Sequence, residues 1–127
     1  MNVRYIVDDV DRAAEFYTST FGFQVVRKVP PAFALIKLGD LMIWLTGPGS
    51  NAAAPLADGT NPVSGGWNRV ILNTNNLDAL IARLSSRTAK TRGQPFDTPA
   101  GRHILVEDPA GNLIEIVQYR QQAQVTH

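Results

Sequence analysis

Glu115 is the residue whose type and setting most invite chemistry. It lies within Leu113-Ile114-Glu115-Ile116-Val117, an otherwise apolar run that follows the turn sequence Asp108-Pro109-Ala110-Gly111. Proline at the second turn position and glycine at its end suit a tight reversal, so Ile104 to Gln118 reads as strand, turn, strand. Alternation places Leu113, Glu115 and Val117 on one face and Ile114 and Ile116 on the other. A carboxylate so placed either faces solvent from an edge or points into a cavity as a metal ligand or general base. Arg4 and Arg69 could pair with it, or donate to a carboxylate or phenolate on a ligand. Asn2 and Asn73 add further polar groups. Trp44 and Trp67 offer rings for stacking on a planar ligand, although either could equally be ordinary packing or a linker anchor. His103 is the one internal histidine, and alternation alone does not fix its facing. His127 is terminal.

These side chains need strands to hold them. Val3–Val7 reads as a strand, and Asp8-Asp9-Val10-Asp11 supplies helix N-caps. A helix over Asp11–Phe21 carries Ala13, Phe16, Tyr17 and Phe21 on one stripe, with Gly22 as its left-handed stop. This aromatic stripe reads as helix-to-sheet packing rather than a ligand box. Strands follow at Phe23–Val29, Phe33–Leu38 and Leu41–Thr46, separated by Pro30-Pro31 and a Gly39-Asp40 hairpin turn. The segment from Gly47 to Gly66 is rich in Gly, Pro, Ala, Ser and Asn, lacks periodicity, and is expected to be a linker or a flap. A strand over Trp67–Thr74 and a helix from Leu77 to about Arg87 come next. Thr88–Phe96 holds a glycine turn and one strand, and Asp97–Gly101 a turn. Strands at Arg102–Val106 and Asn112–Gln118 close the pattern, and the polar tail 120–127 is expected to fray.

The second half repeats the first. Asn2–Ala13 aligns without a gap to Arg69–Leu80, both running strand, Asx pair, aliphatic residue, Asp, helix. Leu41–Thr46 parallels Asn112–Val117, with Trp44 opposite Glu115. Each half is a βαβββ unit, and internal repetition of this kind marks a duplicated architecture. The expectation is a single domain over 1–127, with module 1 at about 2–46, the linker or flap at 47–66, module 2 at about 67–119, and the tail at 120–127.

Composition narrows the function. A chain of 127 residues with 44% hydrophobic and 18% charged residues suits one soluble globular domain. A net charge of +1 gives no basic footprint for nucleic acid. The absence of cysteine excludes disulfides and thiolate metal sites and fits a cytoplasmic protein. No apolar run approaches the ~20 residues of a membrane span, and the first residues lack an apolar leader core.

The segments Tyr5–Val26 (YIVDDVDRAAEFYTSTFGFQVV) and Glu107–Gln118 (EDPAGNLIEIVQ) resemble the vicinal oxygen chelate superfamily, which includes glyoxalase I, bleomycin-resistance and extradiol-dioxygenase relatives. The resemblance runs from Asn2 to Tyr119. It implies an α+β fold of two tandem βαβββ modules forming a curved mixed sheet around a cavity, with helices outside. In the metal-using members the first and last strands of each module supply ligands, and these positions fall on Asn2, Trp44, Arg69 and Glu115. Only Glu115 is a competent ligand. Trp44 has no lone pair to offer, and Arg69 is a permanent cation that repels a divalent ion. The resemblance is therefore nearest in character to the metal-free bleomycin-resistance branch. It implies no metal, no cofactor, a homodimer, and a planar or aromatic, possibly acidic, small-molecule ligand. Its contacts would be Asn2, Arg4, Phe33, Leu35, Trp44, Trp67, Arg69, Asn73, His103 and Glu115, with Phe33 and Leu35 as apolar walls. The alternative is a lyase, isomerase or dioxygenase-type enzyme with Glu115 as general base or metal ligand. A structural or regulatory subunit without a small ligand is a third reading.

Overall fold

The computed structural model describes residues 1–120. The frayed tail expected at 120–127, His127 included, lies outside the described residues except for Arg120. The chain divides into two compact units, one comprising Met1–Gly66 with Pro109–Asn112, the other Trp67–Asp108 with the chain from Leu113 onward.

The first unit holds β1 (Asn2–Ile6), α1 (Val10–Phe21), β2 (Gln24–Val29), β3 (Phe33–Leu38) and β4 (Leu41–Thr46), with strand order β1-β4-β3-β2. β1 runs parallel to β4; the other pairs are antiparallel. Asp9 starts α1 by accepting the Arg12 N–H at 3.0 Å, and Gly22, at φ 80°, ends it. The buried stripe of α1, including Ala13, Phe16 and Tyr17, packs on β3, β4 and β2. Tyr17 meets Phe16 and Phe23 edge-on, with centroids 5.6 and 5.4 Å apart, so the aromatic cluster is core. Tyr17, Ile36, Ile43 and Leu45 are fully buried, each stabilising the fold by roughly 1.5–3 kcal/mol of apolar transfer.

The 47–66 segment is more ordered than its composition suggests. Asn51–Ala53 forms a 3-10 turn capped by Ser50. The Thr60 N–H donates to Asp58 Oδ1 at 2.9 Å, which holds that exposed carboxyl below its ordinary pKa. At the end of the segment the Ser64 hydroxyl donates to the Ala110 carbonyl at 2.7 Å, and the Gly65 N–H donates to Asn112 Oδ1 at 2.9 Å. Asn112 is itself buried and donates from Nδ2 to the Ile6 carbonyl at 2.8 Å. One amide thus joins the segment's end, the Pro109–Asn112 turn and the end of β1. Gly111 turns this corner at φ 88°.

The second unit holds β5 (Arg69–Asn73), α2 (Leu77–Ser86), β6 (Lys90–Thr91), β7 (Phe96–Thr98), β8 (Gly101–Glu107) and β9 (Leu113–Tyr119). Its order is β5-β9-β8-β6, with β7 also pairing β8. β5 is parallel to β9, as β1 is to β4. Asn76 caps α2 by accepting the Ala79 N–H at 3.0 Å. Leu77, Leu80 and Leu84 are its buried face. Where α1 stops on glycine, α2 stops at Arg87, followed by Thr88 at φ 51°, an uncommon conformation for a residue with a Cβ.

Two local expectations change here. Thr88–Phe96 contributes a short β6 and only the first residue of β7, because Gly93 at φ 84° turns the chain and Pro95 has no N–H for a ladder. The reversal expected over Asp97–Gly101 is tighter: Asp97 and Thr98 are in β7, paired with Arg102 and Gly101, and only Pro99-Ala100 turn. β5 also begins two residues after Trp67, which lies outside the ladder. The architecture is α+β: two helices, and two mixed sheets of four and five strands among the described residues.

Replacing Asn112 by Ala removes both amide bonds from a buried position. The Ile6 carbonyl and the Gly65 N–H lose a partner, and the expected loss of stability is about 1–3 kcal/mol, read as a lower urea midpoint. An unchanged midpoint would show that the amide does not hold the corner.

Candidate functional site

Strand register decides which side chains meet. In the first unit Asn2 pairs Met42, Arg4 pairs Trp44 and Ile6 pairs Thr46, so these residues share a face. Leu35 pairs Trp44 from the other side, and Phe33 pairs Thr46. Val3, Tyr5, Ile43 and Leu45 point the opposite way, and Tyr5, Ile43 and Leu45 are buried. On the Trp44 face, the Phe33 and Trp44 rings lie 5.7 Å apart, tilted by 46°. The Arg4 guanidinium sits 5.8 Å from the Trp44 ring and donates to Thr46 Oγ1 at 3.1 Å. The Arg27 guanidinium sits 5.7 Å from the Phe33 ring. The result is an aromatic pair flanked by two cations, a geometry worth about 0.5–1 kcal/mol per cation at exposed sites. Leu35 shares the face but is buried, so it supports this surface and does not form an open wall. Asn2 is exposed at the edge of the sheet.

The second unit places Arg69 opposite Leu113, Ile71 opposite Glu115 and Asn73 opposite Val117. His103 pairs Val117 and Leu105 pairs Glu115, which fixes the facing of His103: it lies on the Glu115 side. Glu115 and His103 are buried, at 9% and 8% exposure. Arg69 Nε donates to Glu115 Oε1 at 2.9 Å, and His103 Nδ1 meets Oε2 at 3.1 Å. A carboxylate only accepts, so Nδ1 carries the hydrogen, and in the neutral imidazole Nε2 then presents a lone pair. The Thr98 hydroxyl lies 2.7 Å from that nitrogen. Phe96 stacks flat on the His103 ring, 5.1 Å between centroids at 7°. Arg69 also donates to the Trp67 carbonyl at 3.2 Å. Trp67 is exposed, but one of its ring faces has the Arg92 guanidinium 4.4 Å away, and Arg92 pairs with Glu107 at 3.3 Å. Asn73 is exposed at the end of β5.

The sequence-derived candidates therefore fall on two faces. Arg4, Phe33, Leu35 and Trp44 gather in the first unit, and Arg69, His103 and Glu115 in the second. Asn2 and Asn73 are exposed at strand ends, and Trp67 reaches the second cluster through its carbonyl, which accepts from Arg69. Arg27, Phe96, Thr98 and Arg92 join the clusters without having been singled out. Arg27 enters through a register shift between Val25 and Arg27 that alternation does not reveal. Phe96 and Thr98 enter through a three-residue strand hidden in a turn-like sequence.

The four positions at which metal-using members of the resembling family hold their ion do not suit a divalent cation here. Both oxygens of Glu115 are engaged, Arg69 brings a positive charge to the same carboxylate, and Trp44 has no donor atom. Among the described residues no group of three His, Cys, Asp or Glu side chains could hold an ion.

The Arg69–Glu115 contact predicts energetic coupling. A double-mutant cycle with Arg69→Met and Glu115→Gln is expected to give about 0.5–3 kcal/mol, measured by urea unfolding of all four proteins. Additive single effects would mean that the two side chains are not paired.

The family model of the Glyoxalase/Bleomycin resistance protein/Dioxygenase superfamily matches residues 2–116. Among curated proteins, the anthracycline biosynthesis protein DnrV of Streptomyces peucetius is 26% identical over 119 residues, covering 94% of this chain and 41% of that protein. The chain spans less than half the length of the curated relatives it matches. Among solved structures, a lactoylglutathione lyase from Agrobacterium tumefaciens superposes with a TM-score of 0.74 at 23% identity, over 93% of this chain and 91% of that one. TnmS3, an antibiotic binding protein from Streptomyces sp. CB03234, superposes with a TM-score of 0.64 at 26% identity, over 92% and 93% of the two chains. With nearly the whole chain matched and both repeated modules in place, the protein belongs to the Glyoxalase/Bleomycin resistance protein/Dioxygenase superfamily.

Proposed function

We propose that this protein binds a planar, acidic or acceptor-rich aromatic small molecule without a metal ion. The observation that carries this reading is the Arg4–Trp44–Phe33–Arg27 surface. An aromatic pair between two guanidiniums favours a flat ligand that stacks on the rings and accepts hydrogen bonds at its rim. The similarity to TnmS3, an antibiotic binding protein, and to DnrV, an anthracycline biosynthesis protein, supports a small-molecule ligand. The second unit argues against the enzyme alternative built on Glu115. Its carboxylate is held by Arg69 on one oxygen and His103 on the other, which leaves it poorly placed to take a substrate proton or coordinate a metal. A homodimer is the setting that the resemblance implies, and a cytoplasmic location fits the absence of cysteine; sedimentation velocity of the full chain tests the dimer.

The binding test uses a Trp67→Phe background, so that Trp44 is the only tryptophan, titrated with anthraquinone-2-carboxylate. Saturable quenching of Trp44 is expected, unchanged when chelator is added. Arg4→Ala or Phe33→Ala is expected to weaken binding by about 2- to 13-fold, the equivalent of ~0.5–1.5 kcal/mol for one such contact. Binding that vanishes with chelator, or quenching indifferent to both substitutions, would refute the reading.

A further inference from the structure

We propose that Thr98, His103 and Glu115 form a hydroxyl–imidazole–carboxylate relay that makes the Thr98 hydroxyl a nucleophile toward activated carboxylic esters. This activity is separate from the ligand binding proposed above, and every residue in it belongs to the second unit.

The relay is continuous. Glu115 Oε2 and His103 Nδ1 are 3.1 Å apart, and His103 Nε2 and Thr98 Oγ1 are 2.7 Å apart. The direction of each bond follows from Glu115, which can only accept. His103 must donate from Nδ1, and with the imidazole neutral Nε2 accepts the Thr98 proton. Arg69 holds the far oxygen of Glu115 and balances its charge, so a neutral imidazole leaves this buried cluster without net charge. Phe96 lies flat against the imidazole and fixes its plane.

Thr98 is the relay's outer end. It is half-buried at the close of β7, next to the Pro99-Ala100 turn, whereas Glu115 and His103 are buried. Its oxygen has one proton, directed at His103, and two lone pairs. The Ala100 N–H donates to one of them at 3.2 Å, which fixes the hydroxyl in place. The other lone pair is available to an electrophile. Arg120 reaches the same turn, donating from Nη1 to the Thr98 carbonyl at 2.8 Å and to that of Pro99 at 3.1 Å, and so holds the backbone that carries the hydroxyl. Nucleophile, base and orienting carboxylate are the parts that acyl transfer requires.

The step balances as follows. Thr98 Oγ1 bonds to the ester carbonyl carbon while its proton passes to His103 Nε2, and Glu115 stabilises the resulting imidazolium. The tetrahedral adduct collapses, the bond to the leaving oxygen breaks, and that oxygen departs with the proton from His103. Water then attacks acyl-Thr98 and gives its proton to Nε2. The carboxylic acid leaves and the threonine hydroxyl is restored.

The full chain is mixed with 4-nitrophenyl acetate, and released 4-nitrophenolate is followed by absorbance. The expected result is a burst approaching one equivalent per chain, with an acetyl group located on Thr98 by peptide mass spectrometry. Thr98→Ser is expected to keep the burst. Thr98→Val and His103→Asn are expected to slow it by about a hundredfold or more. Circular dichroism and melting curves identify any variant that has failed to fold; Thr98→Val, which takes a partner from His103 Nε2 and the Ala100 N–H, is expected to keep the native spectrum with a modestly lower melting temperature. An acetyl group found only on lysines or the N-terminus, or a Thr98→Val protein that reacts at the original rate, overturns the proposal.

Discussion

A carboxylate with 9% exposure in the middle of a five-stranded sheet is the constraint that the second unit is built around. Left alone, Glu115 would cost several kcal/mol of lost hydration. Arg69 answers from β5 on one side and His103 from β8 on the other, so the three strands are tied by side chains as well as by their ladders. Such an ion pair is weak evidence of net stability, since a well-packed apolar replacement can do as well. Its consequence is specificity. It holds Arg69 in place, puts a hydrogen on His103 Nδ1 and turns Nε2 to the Thr98 hydroxyl.

The duplicated scaffold turns the same position to opposite uses. β4 and β9 are equivalent last strands, each parallel to the first strand of its module, and Trp44 and Glu115 are equivalent residues on them. In the first unit the position carries a ring, with Arg4 directly across the ladder and near its face. In the second it carries a carboxylate, and the arginine comes from Arg69, one alternation step back along β5. A small shift in where the arginine sits on the first strand thus separates an aromatic surface suited to stacking from a closed polar cluster.

The sequence carried the fold well because its signals were local and repeated. Asp9 and Asn76 cap the helices, Gly22 ends the first, Gly39 and Gly111 turn at positive φ, and period-two alternation sorts each central strand into two faces. The candidate residues on those strands were legible for the same reason. What stayed hidden depended on register and on turns. His103 could not be oriented until β8 was paired with β9. Arg27 reached Phe33 only through an irregularity in β2. Thr98 sits in a stretch, Asp97–Gly101, that reads as pure turn, yet three of its residues pair as strand. The ordered end of the 47–66 segment depends on Asn112, far along the chain, which no window of composition could supply.

The pairing of Arg69 with Glu115 also bears on the proposal that this chain binds its ligand without a metal ion. A divalent ion draws carboxylates together and can be exchanged; a guanidinium does the first and cannot do the second. Once an arginine stands on the first strand beside the carboxylate, the cation is covalently part of the chain. The charge of Glu115 is then already answered before any ligand arrives. In the proposed binding mode a ligand's own oxygens meet no metal coordination site, and recognition rests on surfaces with unspent interactions. In the first unit that surface is the Trp44–Phe33 pair with its two guanidiniums. In the second unit the proposed relay ends instead at the half-buried Thr98, whose hydroxyl meets His103.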